Sequence, residues 1–260
     1  MNGVISLIKR SNMSKNNNSD HYKKQLDYFS SEFGENNQYK LFSWQKTYID
    51  RIKKELLGRN YKGKTLIDIA SGSGYVAVEI ARLGLDVVAT DLTPEAIKNL
   101  NKYKKQFSLF NLRVVKCYAE IIPLPDKSVD FVVANAILEH IPNEKKAIDE
   151  WKRLLKKNGK IFITVPLRFR YIWPFLWPIN YFHDKRIGHL RRYDLQNLQE
   201  KFNLRVLKVF YTGHLLKVIS AIASLLIKSE RFSEFFEKID TKQESKRYGA
   251  SNIIVLFENK

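Results

Sequence analysis

Apolar positions along this chain change their period several times, and each change marks an element. Between residues 20 and 34, Tyr22, Leu26, Phe29 and Phe33 recur every three or four residues, the stripe of an amphipathic helix that Gly34 ends. A second helix is expected over 41–57, striped by Phe42, Tyr48, Ile49, Ile52 and Leu56. Thereafter short apolar runs alternate with helical stretches. Runs at 65–69, 86–90, 112–117, 129–134 and 161–165 read as strands, and 76–83, 94–103 and 145–155 as helices. Pro94, just inside one helix, and Asn158-Gly159, just past another, are boundary signals. Strands alternating with helices predict a parallel sheet covered on both faces. Two further strands are expected at 205–211 and 252–258, joined by a long apolar helix over 213–228 and a polar turn around 242–249. No internal repeat is visible.

Composition fits one large domain: 260 residues, 44% of them hydrophobic, suffice for a substantial core. The single cysteine, Cys117, excludes an internal disulfide and a cysteine zinc cluster, and fits a reducing cytoplasm. No metal ligand set is assigned. Residues 1–19 are expected to be a disordered tail, Asn- and Ser-rich after a short apolar run with no cleavable signal. Residues 20–57 are expected to form a helical lid, and 58–260 the main domain with an insert at about 167–193. No stretch reaches the roughly 18 apolar residues of a spanning helix.

The chemistry centres on Leu66-Ile-Asp-Ile-Ala-Ser-Gly-Ser-Gly74, followed by Val87-Val-Ala-Thr-Asp91. A buried strand, a glycine turn, a helix and a second strand ending in an acid hold an adenosine-containing cofactor at the carboxyl ends of parallel strands. Gly72-x-Gly74-x-x-Ala77 also fits the dinucleotide fingerprint, with Asp91 roughly 20 residues on as the ribose acid. Asp68 favours the other reading. A carboxylate just before the glycines repels a pyrophosphate, whereas the ammonium and sulfonium of S-adenosylmethionine suit it.

These residues resemble the class I S-adenosylmethionine-dependent methyltransferases, most closely the type 11 branch with the ubiquinone and menaquinone biosynthesis enzymes. The likeness is strong over 60–165 and weaker over 186–205. It implies a Rossmann-like, seven-stranded sheet with helices on both faces and an antiparallel last strand. In the motif D-x-G-C-G-x-G, Asp68, Gly72 and Gly74 match, while Ala70 and Ser71 replace Gly and Cys. The resemblance makes this loop the cradle of the methionine part of the cofactor. It gives the ribose hydroxyls to Asp91, with Leu92 beside it, and makes the helix at 20–33 a segment that folds over bound cofactor. Ala119-Glu120-Ile-Ile-Pro-Leu-Pro-Asp126-Lys-Ser-Val-Asp130 looks like the family's D-A-E-x-x-P-F-x-D-x-S-F-D stretch. Tyr118 stands where an acid often bonds the adenine amino group, which leaves the backbone of Ala119 for adenine. Asp126 and Asp130 are assigned to turn and strand-start chemistry. Asn135-Ala-Ile-Leu-Glu139-His140 falls where the family lines the methyl-transfer site; it lacks the Asn-Pro-Pro-aromatic signature of adenine and glutamine N-methyltransferases. Gly188-His189-Leu-Arg191-Arg-Tyr193-Asp194 resembles a family insert, Gly-His-x-Arg-x-Tyr, with Asp194 capping a helix over 195–202. His140, His183 and His189 are the candidate bases. Arg191, Tyr193 and Trp173 are candidate substrate contacts, Arg191 either as an anion clamp or as a latch to the sheet.

The net charge is +18, and residues 151–217 hold 15 Lys or Arg against Asp184, Asp194 and Glu200. Such a surface suits lipid headgroups or nucleic acid, unless it is solvated decoration. The aromatic segment from Phe169 to Phe182, broken by Pro174 and Pro178, does not resemble a regular helix or strand; with two Trp and two Tyr beside Arg and Lys it resembles an interfacial segment. The expected activity is methyl transfer at O or C to a small-molecule or lipid-linked, isoprenoid-like acceptor, by a cytoplasmic protein in peripheral contact with anionic membrane. An RNA methyltransferase and a non-catalytic cofactor-binding protein are the alternatives. The oligomeric state is not legible.

Overall fold

The structure, a computed structural model, describes residues 17–34, 39–58, 60–223 and 229–260. Chain order is α1 (Asn17–Gly34), α2 (Ser43–Arg51) running into a π-helical turn (Ile52–Leu57), β1 (Thr65–Ile69), α3 (Tyr75–Arg82), β2 (Asp86–Asp91), α4 (Pro94–Gln106), β3 (Leu112–Lys116) and β4 (Val129–Asn135). Next come a 3-10 turn (Leu138–His140), α5 (Glu144–Leu154), β5 (Leu155–Pro166), two further 3-10 turns (Phe169–Tyr171, Pro174–Leu176), α6 (Trp177–Ile187) and α7 (Leu195–Phe202). The chain closes with β6 (Arg205–Thr212), α8 (Leu215–Ala223), α9 (Glu230–Lys242) and β7 (Asn252–Glu258).

The seven strands form one sheet in the order β3-β2-β1-β4-β5-β7-β6. β1 to β5 pair in parallel, and β7 runs antiparallel between β5 and β6. Neighbouring residues on a strand enter different cores: Leu66 packs with Tyr48, Ile80 and Phe162 on one face, and Ile67 with Trp151, Ile163 and Tyr193 on the other. That is why these strands read as unbroken apolar runs. The chain reverses its strand order beside β1, so the carboxyl ends of β1, β2 and β4 open a crevice between the two directions of winding.

Three expectations change. The aromatic insert is regular after Trp177: Pro178 occupies the first turn of α6, where a missing N–H costs nothing and the fixed φ favours helix. The connection before β7 contains a second helix, α9, which the reading of a single apolar helix and a turn missed. Asp240 of α9 ties it to the sheet by accepting from the backbone of Gly213 and His214, while His214 Nδ1 lies 2.7 Å from its Oδ1. The helix expected over 213–228 is seen as α8; Ser224 and Lys228 lie outside the described residues, as does most of the expected N-terminal tail, of which residues 17–19 are helical. Among the described residues no helix is long and apolar enough to cross a membrane.

Candidate active site

At the crevice a cavity of about 310 Å³ opens, within the size range of small-molecule sites (~300–1,000 Å³). Its floor is the turn between β1 and α3. Ser71 N–H donates to the Thr90 carbonyl at 2.8 Å and Gly74 N–H to the Ser71 carbonyl at 2.8 Å, which folds the turn back onto β2. Gly72 and Gly74 take positive φ, 53° and 78°. A Cβ on Gly74 would come 2.7 Å from Leu100, so this glycine seats α4 against α3 rather than lining the cavity. Ala70 also holds positive φ, 52°, where the family motif has glycine. The loop survives that replacement at a cost of about 1–2 kcal/mol of backbone strain.

Two carboxylates face the cavity in different states. Asp91 ends β2 with both oxygens engaged: Oδ2 accepts from Gly72 N–H and Oδ1 from Thr93 N–H, each at 2.8 Å. Each oxygen keeps a lone pair, the arrangement two vicinal hydroxyls require. Asp68 is 2% exposed, and its Oδ2 has no partner. Burial, with Asp91 adding to it, pushes its carboxyl up to about 7. A buried carboxylate oxygen without a donor fits a cationic ligand group. Cys117 also lines the cavity, but burial pushes its thiol up to about 12 and leaves it unreactive.

The wall is built from β4 and the loop after β3. Leu92, Ala119, Glu120 and Asn135 line it, as do Asp68, Ala70, Gly72 and Asp91 below. Asn135 Nδ2 donates to the Tyr75 hydroxyl at 2.7 Å, and the next residue, Ala136, takes φ 52° as its N–H reaches the Thr164 carbonyl. The roof is α1. Tyr22, Leu26, Phe29 and Phe33, the stripe read from the sequence, all face the cavity. Tyr22 donates its hydroxyl to Glu120, His21 Nε2 donates to the His140 carbonyl at 2.8 Å, and Asn99 donates to the Phe33 carbonyl at 2.9 Å. Trp44 and Tyr75, packed edge to face at 5.5 Å, close one side. Neither was singled out in the sequence, where each is one aromatic among many on a helical face.

The three histidines separate. His140 lines the cavity; burial, with His189 and His21 adding to it, lowers its imidazole to about 3, so the ring is neutral at ordinary pH. A group held so low is a weak base and serves better as a hydrogen-bonding or ligating nitrogen. His189 stands behind it, ring centroids 4.8 Å apart, and His183 farther out, 6.1 Å from His189 and exposed. The three expected substrate contacts also lie off the cavity. Arg191 donates to the carbonyls of Ile141 and Pro142, at 2.7 and 3.2 Å, which makes it the latch rather than the clamp. Tyr193 is fully buried, its hydroxyl bonded to Leu138 and Glu144. Trp173 packs edge to face on Tyr248 at 4.7 Å. Asp130 accepts from Thr65 N–H and Lys156, and Asp126 pairs with Arg153, the structural roles expected of them.

Residues 67–163 match the model of a family described as "Methyltransferase domain". The ubiquinone/menaquinone biosynthesis C-methyltransferase of Rickettsia akari is 31% identical over 124 residues, 45% of this chain and 47% of the relative. The ubiquinone biosynthesis O-methyltransferase of Xanthomonas oryzae pv. oryzae is 31% identical over 102 residues, 39% of this chain and 43% of the relative. The chain thus spans about half the length of the curated relatives it matches. The solved structure of a SAM-dependent methyltransferase from Aquifex aeolicus, 15% identical, covers 89% of this chain and 98% of its own with a TM-score of 0.54, a likeness of fold. Residues 67–163 are a methyltransferase domain, as their motifs imply.

Proposed function

We propose that this chain transfers the methyl group of S-adenosylmethionine to an oxygen or carbon of a small-molecule or lipid-linked, isoprenoid-like acceptor. The observation that carries the reading is the pair of cavity carboxylates: Asp91 with both oxygens fixed by backbone donors, and Asp68 with one buried oxygen unpartnered. In this account Asp91 accepts the two ribose hydroxyls, and Asp68 faces the cationic methionine end across the turn at Ala70 and Gly72. Leu92, Ala119 and Glu120 flank the adenine. When bound, S-adenosylmethionine supplies a methyl group already activated for in-line displacement. The protein's work is then orientation and exclusion of water, which supply several kcal/mol without a strong base. Phe29, Phe33 and Tyr22 shut the roof, and Asn135 and His140 form the wall against which an acceptor is aligned.

The lipid-linked reading is supported by the outer surface of the insert. No residue of α6 is buried; Phe175 and Phe182 are 61% and 70% exposed, with Trp173, Trp177, Ile179 and Tyr181 beside them. Lys185 and Arg186 share the helix. Aromatic and aliphatic side chains beside cations are what a segment needs to rest at the headgroup level of an anionic membrane. The relatives quoted above are named for ubiquinone and menaquinone biosynthesis, which favours an isoprenoid-like acceptor over RNA. The test is transfer of labelled methyl from S-adenosylmethionine into a total cell extract separated into lipid, RNA and small-molecule fractions. Label in the lipid or small-molecule fraction is expected. Label in RNA overturns the acceptor class, and no label in any fraction with intact cofactor binding indicates a non-catalytic binder.

A further inference from the structure

Behind the His140 wall lies a cluster that the methyl-transfer reading does not use. Glu139 is 1% exposed, and neither of its carboxylate oxygens has a hydrogen-bond partner. His140, 5% exposed, also has an unpartnered ring nitrogen, Nδ1. The His189 side chain, 8% exposed, has Nδ1 2.7 Å from Asp184 Oδ1, which leaves Nε2 3.7 Å from Glu139 Oε1. Asp184 is fixed in turn by Arg192 Nε at 2.6 Å and Nη2 at 2.8 Å. Leaving a buried polar group unpaired costs about 1–3 kcal/mol, and more when it is charged. Three such atoms in one place call for a shared partner.

We propose that Glu139, His140 and His189 bind a divalent first-row transition ion against the inner wall of the cavity. One oxygen of Glu139 and one nitrogen from each histidine all lie within 4.8 Å of one another. Ligand bonds of 2.0–2.2 Å in a tetrahedral site set ligand atoms ~3.4 Å apart, so the widest separation closes by ~1.4 Å, within reach of side-chain adjustment. The surroundings supply what such ligands need. A ligating histidine donates its other ring nitrogen to a carboxylate or carbonyl, which fixes the tautomer and aims the lone pair. Asp184 stands in that place for His189. Two histidines and one carboxylate suit Zn²⁺, Fe²⁺ or Mn²⁺ and leave positions open for water or substrate. His140 also lines the cavity, so the ion borders the space assigned to the acceptor. No spacing cue marks this set along the chain: Glu139 and His140 are adjacent, and His189 arrives from an insert about fifty residues on. The inference does not rest on the methyl-transfer reading, because metal binding is measured without cofactor.

The test uses the full chain, stripped with chelator and titrated with Zn²⁺ in competition with a chromogenic chelator. Saturation at one ion per chain is expected. Glu139→Gln and His189→Gln each lose at least about tenfold in affinity, as ligand-shell changes typically do. His183→Ala, an exposed neighbour, leaves affinity unchanged. Zn²⁺ raises the melting temperature of the wild type and not that of folded Glu139→Gln. With Co²⁺ as probe, visible absorption of a histidine-bound ion appears in the wild type and is lost in both ligand variants. Absence of saturable binding, or equal affinity in wild type and Glu139→Gln, overturns the proposal and leaves the cluster to a buried proton or water.

Discussion

Asp68 separates the two cofactor chemistries that its turn resembles, and its burial turns that distinction into a pH dependence. The carboxyl has an ordinary value of 3.8 and rises to about 7 in the fold because burial disfavours its charge. The folded state therefore holds the proton more tightly than the unfolded chain. The associated stability is complete below the unfolded value and is lost as pH climbs through the folded one. A cationic ligand reverses the preference by stabilising the ionised form. Affinity for S-adenosylmethionine is thus expected to rise between about pH 5.5 and 7, by up to about tenfold per unit. Asp68→Asn should bind more weakly with a flat profile over that range, measured by calorimetry at each pH. An identical slope in the variant contradicts the role of Asp68. At this scale the sequence was legible where a motif fixes a position in the fold: Asp68, Gly72 and Asp91 all line the cavity. It was misleading at Arg191 and Tyr193, because a polar residue in a motif reads the same whether it faces ligand or backbone. Only the structure brings Ile141, Pro142 and Leu138 to those side chains.

At the scale of elements, α1 spans the site and is held at several points along its length. Gln25 reaches the carbonyl of Ile187, Ser30 reaches Glu95, and Tyr22 reaches Glu120. Its aromatic face covers the cavity rather than the sheet, so a ligand beneath it adds apolar and polar contacts that the ligand-free roof lacks. Hydrogen exchange within α1 should slow when cofactor is added. Tyr22→Phe, which leaves Glu120 without its donor, should exchange faster in both states, by an amount corresponding to about 1–3 kcal/mol. Equal protection with and without cofactor would show α1 to be a fixed part of the fold. The stripe of this helix was readable because its period is strong. α9 escaped notice although Phe232, Phe236 and Ile239 repeat at helical spacing and Ser229 caps Phe232 N–H, since the polar residues around it pointed to a turn. α6 escaped because its two faces are alike: a helix that buries nothing leaves no periodic trace.

Across the whole molecule, the +18 charge is more dispersed than its sequence clustering suggests. Lys156 pairs with Asp130, Arg153 with Asp126 and Glu150, Lys201 with Glu144, Arg205 with Glu258, Lys208 with Glu55 and Lys217 with Glu237, so acids from outside the 151–217 stretch offset part of its charge. Contact with a membrane must then draw on the exposed aromatics as well as on charge. Vesicles containing anionic lipid are expected to carry the protein in flotation, less so as salt rises, each near-surface Lys or Arg contributing about 1 kcal/mol. Replacing both Trp173 and Trp177 with Ala should reduce flotation even at low salt. Flotation unchanged by the double substitution, or RNA retained while vesicles are not, contradicts the assignment of that surface. The sheet, its two cores and the cavity at the strand reversal follow from alternating runs and one glycine turn, and the proposed cofactor is what that cavity has to be tested for. The most direct measurement is calorimetric titration of the full chain with S-adenosylmethionine and, separately, with NAD. The account predicts saturable binding of S-adenosylmethionine alone, weakened roughly 10- to 100-fold in Asp91→Ala by loss of about 1.5–3 kcal/mol of charge-assisted hydrogen bonding. Binding of NAD instead, or unchanged affinity in Asp91→Ala, contradicts it.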